Sequence, residues 1–308
     1  MEKRHSRMGW WFILPAVALL AVFLVYPMLY SLILSLTSTK GIVTQFVGLK
    51  NFQRMLNDPM FFLALKNTFR ILIIQVPVML ILALLLASLL NDKKLKFRGI
   101  FRTAIFLPAV TSLISYTILF KMLFSYDGLI NEALLGLGWV QSPVEWLTQP
   151  GTATFVLILA MIWRWTGYNM VFYLSAMQNI SSDIYEAAEV DGANKVKTFF
   201  YITLPSLRPM ILFTAIMSTI GTIQLFDEPI NLSQSGVTAA TMGPSNCFLT
   251  LSVYIYNICF KYTPNFGYGA ALSYASMLLI AALSVAQFRL GDDNEIRAAR
   301  KAMKRSIA

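Results

Sequence analysis

The sequence predicts an all-α, polytopic membrane protein with six transmembrane helices and both termini in the cytoplasm. Three observations carry this reading. Of 308 residues, 57% are hydrophobic and only 13% charged, with a mean hydropathy of +0.62, whereas charged residues make up about a quarter of an ordinary soluble domain. Apolar runs recur along the chain at the length of about 20 residues that a helix needs to cross a bilayer. Lys and Arg collect in alternate connections, as they do in the cytoplasmic loops of membrane proteins.

The first run, Gly9 to Leu36, follows a basic start, MEKRHSR. It is much longer than the roughly 7–15 apolar residues of a signal-peptide core, and no small-residue cleavage site closes it, so it reads as an uncleaved helix. The outside connection Thr37 to Lys66 contains GLKNFQRMLNDP, either a short interfacial helix stopped at Asp58-Pro59 or a solvated loop. Further spans are expected at Ile71 to Leu90, Thr103 to Phe124, Thr152 to Met177, the shorter Met210 to Phe226, and Gly267 to Phe288. In the last outside connection, Glu228 to Phe266, the run NCFLTLSVYIYNICF is too short to span comfortably and suits a re-entrant or surface-lying helix. The chain thus reads as one domain, a six-helix core at 9–290 between basic cytoplasmic tails at 1–8 and 291–308, with three outside and two inside connections.

Charge fixes the orientation. The N-terminus, the connections after the second and fourth helices, and the C-terminus hold 17 of the 25 Lys and Arg, while Tyr126 to Pro150 has three acids and no base. The net charge of +10 is therefore accounted for by cytoplasmic flanks and needs no nucleic-acid partner. Cys247 and Cys259 fall in or beside the last outside connection, where either a disulfide or two buried thiols would fit.

Several chemistries are missing from the sequence. No GxxxxGK[ST] loop occurs, so ATP is not expected on this chain by that device. His5, in the basic tail, is the single histidine, which argues against His-based catalysis or metal binding. Asp183, Glu186, Glu189 and Asp191 form the dense carboxylate cluster. A magnesium site for phosphate chemistry would need basic partners and a second acidic cluster, so these residues read as a solvated helix face. No catalytic residue, metal or cofactor is expected here.

That helix, IYEAAEV, follows SSD, whose Ser or Asp can accept the first free N–H groups; Gly192 can end it in a left-handed turn, and Pro205 is expected to block continuation. Inside the spans, polar residues are costly and mark pathways. Arg164 lies among Trp163, Trp165, Thr166, Tyr168 and Asn169, while Gln224 and Asp227 fall three apart on the predicted fifth helix. Arg164 can be a path residue or a structural cation paired with Asp227 or a backbone carbonyl. Aromatic, hydroxyl and amide groups together suit a sugar, although Trp and Tyr also gather at membrane interfaces as anchors.

The stretch EAAEVDGANKVKTFFYITLP resembles the EAA signature of ABC importer permeases: Glu186-Ala187-Ala188, three residues, Gly192, nine residues, Ile202, one residue, then Leu204-Pro205. The resemblance covers nearly the whole chain through FILPAVALLAVFLVYPMLYSLILSLT, FVGLKNFQRMLNDPMFFLALKNT, RTAIFLPAVTSLISYTILFKMLF, WRWTGYNMVFYLSAMQNISSDIYEAAEVDGA and FGYGAALSYASMLLI. It is to the carbohydrate-type permeases of binding-protein-dependent importers, and within them to the first permease subunit of the maltose and glycerol-phosphate importers. The resemblance implies a bacterial inner-membrane subunit paired with a second permease, two ATPase subunits that carry ATP and magnesium, and an extracytoplasmic solute-binding protein. It implies that Glu186 contacts the ATPase, that Ala187 and Ala188 allow close approach, that Gly192 permits the bend, and that Leu204 and Pro205 close the motif. The family's sugar contacts map onto Trp163, Thr166, Gly167, Met170 and Gln224, with residue types that imply a sugar other than maltose, an oligosaccharide or glycoside. After the fifth helix, LSQSGVTAATMGPSN departs from the family's leucine-threonine run into Gly-Gly-Pro. The rival readings are a secondary transporter or channel acting without an ATPase, a polytopic membrane enzyme, and a peptide or amino-acid permease of the same superfamily. The first would need ion-coupling carboxylates within the spans.

Overall fold

The computed structural model describes residues 12–40, 43–92, 94–233 and 242–307. Helix α1 (Phe12–Ser35) has no buried residue in its most apolar stretch. A π turn at Ala21–Val25 sits just ahead of Pro27, a residue with no N–H to give to the helix ladder. An unpredicted hairpin follows, β1 (Thr37–Lys40) against β2 (Val43–Phe46), antiparallel with Thr37 opposite Phe46. Its Thr and Val residues suit extended backbone, but the segment is too short and polar to stand out in the sequence. Between the two alternatives of helix and loop, residues 50–56 form a helix, α2 (Lys50–Leu56). Buried Asn51 donates to Ser35 O at 2.8 Å and Thr37 O at 2.7 Å, satisfying carbonyls where α1 ends.

Helix α3 (Pro59–Asn91) starts twelve positions before the predicted Ile71. Pro59 opens it, and Asp58 Oδ1 accepts from Met60 N at 3.0 Å, so Asp58-Pro59 starts this helix as well as stopping the one before. The expected third span is broken: α4 (Arg98–Val110) and α5 (Leu113–Leu123) meet at 98°. Pro108 lies just before the break, and Thr111 and Ser112 are extended (ψ 150° and 135°). In α6 (Leu129–Gly136), buried Asn131 organises the connection around it: its Nδ2 donates to Tyr126 O and Val144 O, and its Oδ1 accepts from Val144 N and Trp146 Nε1, each at 3.0 Å.

Helix α7 (Pro150–Gln178) is followed by α8 (Ser182–Val190) and α9 (Lys195–Ser206). Contrary to expectation, α9 runs through Pro205; a π turn at Phe199–Thr203 accommodates the missing N–H, and the 66° bend to α10 (Arg208–Ile223) falls at Leu207. The short α11 (Asp227–Leu232) follows. The apolar run at 246–260 forms α12 (Leu251–Tyr256), continued by a π turn at Asn257–Lys261, and α13 (Phe266–Ile307) carries helix through most of the basic tail. Among the described residues, four helices are long and apolar enough to cross a membrane, or up to six if each bent pair is one span.

The chain divides into two units. In the unit formed by Met1–Phe61 and Tyr254–Leu278, Asp58 accepts from the hydroxyls of Tyr254 and Tyr268, and Arg54 stacks 4.0 Å over the Tyr268 ring. Burial works to raise the Asp58 pKa, but these two bonds and the N–H groups of Met60 and Phe61 outweigh it and hold the carboxyl below its usual range. In the unit formed by Phe62–Val253 and Leu279–Ala308, α3 and α7 pack through Ala83, Ala87 and Leu90 against Met170, Tyr173, Leu174 and Met177. Gly167 brings α7 against α4, since a Cβ there would lie 1.9 Å from Ile105 O; small residues permit such approach between membrane helices. Cys247 and Cys259 are both buried free thiols, and burial pushes that of Cys247 up to about 11.

Candidate functional site: a mixed cavity and an exposed segment

The second of these units encloses a cavity of about 430 Å³, a size typical of small-ligand sites. One wall is a stripe of α7 at helical spacing, Trp165, Tyr168, Asn169 and Phe172; another is Thr214, Ser218 and Thr222 of α10. Gln75 and Met79 of α3 reach in, and Gln224, Asp227 and Glu228 line the side where α10 gives way to α11. The aromatic rings hold one another edge to face, Trp165 to Tyr168 at 5.7 Å and Tyr168 to Phe172 at 5.1 Å. Thr222 Oγ1 is 3.0 Å from Gln75 Oε1, and Asn169 Nδ2 donates to Trp165 O at 3.0 Å. Ring faces can take the C–H faces of a sugar, and amides, hydroxyls and carboxylates can bond its hydroxyl groups. No Lys or Arg lines the cavity. Among the described residues no group of three His, Cys, Asp or Glu stands where it could hold a metal ion.

Four of the residues singled out in the sequence line this cavity: Tyr168, Asn169, Gln224 and Asp227. The last two are not on one helix, because α10 stops at Ile223, Gln224 caps it, and Asp227 opens α11. Trp163, Arg164, Thr166, Gly167 and Met170 fall on other faces of α7, which turns about 100° per residue. Trp163 packs on Phe120 and Tyr116, with ring centres 5.5 and 6.4 Å away. Arg164, 8% exposed, donates from Nη1 to Thr111 O at 2.9 Å and lies over the Tyr116 ring, so its partner is a backbone carbonyl at the α4–α5 break. Thr166 is buried away from the cavity, Gly167 is the contact with α4, and Met170 belongs to the core against α3. Trp165 was noted in the sequence only as a neighbour of Arg164. Gln75, Thr214, Ser218, Thr222 and Glu228 were missed, although the spacing of residues 165, 168, 169 and 172 was a readable signal.

The segment after α7 is built from local bonds. Ser181 Oγ caps α8 by accepting from Asp183 N at 3.3 Å. At the other end Gly192 has φ +75°, and the bonds from Gly192 N to Glu189 O and Ala193 N to Ala188 O form a Schellman stop. Asn194 Oδ1 caps α9 by accepting from Lys197 N at 2.8 Å, and the hydroxyls of Tyr185 and Thr203 meet at 3.2 Å across the two arms. Glu186, Ala187 and Gly192 are exposed, Leu204 and Pro205 partly covered, and Ala188 buried. Apolar side chains also lie open, Val190 at 88% and Tyr201 at 80%. Lys195 Nζ pairs with Asp92 Oδ2 at 2.9 Å. The hydrogen bond from Lys195 lowers the Asp92 pKa, and the same bond raises that of Lys195.

Long apolar helices around a cavity of mixed aromatic, aliphatic and polar lining are the build of a multi-pass transport protein. The model of the family described as binding-protein-dependent transport system inner membrane component matches residues 65–291, and the chain belongs to that family. It is 51% identical over 288 residues to the lactose transport system permease protein LacF of Rhizobium radiobacter, covering 94% of this chain and 95% of that one. It is 38% identical over 285 residues to the arabinooligosaccharides transport system permease protein AraP of Bacillus subtilis, covering 91% and 87%. Its fold is similar to a chain of a bacterial ABC transporter involved in the import of the acidic polysaccharide alginate, with TM-score 0.81, 22% identity and coverage of 95% and 97%.

Proposed function

We propose that this chain forms the translocation pathway for a carbohydrate, an oligosaccharide or glycoside, in the inner membrane of a bacterium. It is a permease of a binding-protein-dependent carbohydrate importer, in keeping with its family and its lactose and arabinooligosaccharide relatives. It crosses the membrane six times with both termini in the cytoplasm, and pairs with a second permease, two ATPase subunits that bind ATP and magnesium, and an extracytoplasmic solute-binding protein. The chain does no covalent chemistry.

The observation that carries the cargo reading is the cavity between α7 and α10, which Trp165 and Tyr168 line together with Gln224 and Asp227. Segment 182–206 is read as the coupling element: Glu186 and the open apolar side chains beside it dock on an ATPase, whose closure moves α7 and α10 as rigid bodies. In membrane vesicles containing the whole importer, Gln224→Ala is expected to lower sugar uptake at least several-fold while subunit assembly survives. Unchanged uptake would remove Gln224 from the path, and full uptake by this chain alone, without ATP, would contradict the importer reading.

A further inference from the structure

The outer parts of α3 and α7 leave a second groove, of about 480 Å³, that shares no lining residue with the cargo cavity. Its walls are two ridges at four-residue spacing, Arg70, Ile74, Val78 and Leu82 on α3 and Phe155 and Leu159 on α7. Further along, the same helices share a buried core, Ala83, Ala87 and Leu90 of α3 with Met170, Leu174 and Met177 of α7. The walls are hydrocarbon apart from Arg70 and Thr154, and Thr154 already donates to Pro150 O at 2.7 Å.

Arg70 immediately precedes the apolar run Ile71 to Leu90. With that run in the hydrocarbon, its guanidinium stands at the level of the lipid headgroups. From Arg70 to Leu82 the helix rises about 18 Å, close to the roughly 15 Å depth of one leaflet. Arg70 is exposed, and among the described residues it makes no hydrogen bond or ion pair. A cation at the head of an apolar channel one leaflet deep matches a molecule that carries a phosphate and an acyl chain at the same separation. Guanidinium binds phosphate oxygens in bidentate fashion, and interfacial basic residues attract anionic lipid. A protein face covering the groove would have to bring its own hydrogen-bond acceptor, a carboxylate or a free carbonyl, to Arg70.

We infer that this groove binds one anionic phospholipid, with its phosphate on Arg70 and an acyl chain along Ile74, Val78, Leu82 and Phe155. The site is independent of the cargo reading, and its readout is lipid retention rather than uptake. The test is native mass spectrometry of the intact importer taken from nanodiscs of phosphatidylglycerol and phosphatidylcholine. The wild type is expected to keep one phosphatidylglycerol through detergent washing. Arg70→Ala should lower that retention at least tenfold, Arg70→Lys should keep part of it, and Ile74→Trp, which fills the groove with Arg70 in place, should expel the lipid. If Arg70→Ala fails to assemble, the Ile74→Trp arm decides. Equal retention of the two lipids, retention unaffected by the assembled variants, or cross-linking of Ile74→Cys to a neighbouring subunit in high yield would overturn the inference.

Discussion

Helix α7 and segment 182–206 are neighbours in the chain and opposites in construction. Helix α7 buries fifteen of its 29 residues, whereas α8 buries one of nine, Ala188. The first is held by packing against α3, α4 and α10, so its shape belongs to this chain. The second is held by two side-chain caps, a Schellman stop and one hydroxyl pair, and it presents Glu186, Val190 and Tyr201 outward. A closed helix can enclose a ligand; an open one, fixed in shape but uncovered, is suited to docking on another protein. Changes on the packed faces of the first region should therefore damage folding, changes on its cavity face should damage cargo uptake, and changes in the second region should damage coupling.

The largest effect is expected at Gly167. Overpacking costs typically about 1–3 kcal/mol, and at Gly167 the obstacle is the Ile105 backbone, with no side chain to give way. Gly167→Val should push past that range, and membranes should hold little assembled protein on size-exclusion chromatography. A normal yield would mean that the close approach of α4 and α7 is not needed.

An enclosed carboxylate and an exposed one extend the comparison. Asp58→Ala leaves two tyrosine hydroxyls without their acceptor, at an expected cost of about 1–3 kcal/mol. Because the Asp58 pKa is depressed on folding, its contribution is present above the unfolded value of about 3.9 and is lost as pH falls through the lower folded value. Thermal melts of the wild type should therefore drop at acid pH more than those of Asp58→Ala; parallel profiles would count against the cluster. The smallest effect is expected for Lys195→Ala. The pair with Asp92 is intact between the lowered Asp92 pKa and the raised Lys195 pKa, but both groups lie in solvent. Exposed pairs contribute little, so no resolvable change in Tm should follow at neutral pH.

Local features were legible in the sequence because their causes are local. Apolar run length marked the long helices, and Ser181 and Gly192 marked the two ends of α8. The early start of α3 was written in Asp58-Pro59 but read only as a stop. At the break between α4 and α5, the Thr111 carbonyl accepts from Arg164, 53 residues away, a contact that no window along the chain reveals. The cavity was half visible for the same reason. Periodicity could have parted Trp165 from Trp163, but Gln75 meets Thr222 across 147 residues and only folding joins them.

The central claim, that cargo and coupling sit on these two unlike regions, is tested most directly by measuring uptake and ATPase stimulation by loaded binding protein in the reconstituted importer for two variants. Trp165→Ala should retain ATPase stimulation and lose most sugar uptake, about tenfold for an aromatic contact worth about 1.4 kcal/mol. Glu186→Lys should remain in the membrane, fail to co-purify with the ATPase and lose both activities. If Glu186→Lys keeps its ATPase partner and its stimulation, or Trp165→Ala loses stimulation in the same proportion as uptake, the division between the two regions is contradicted.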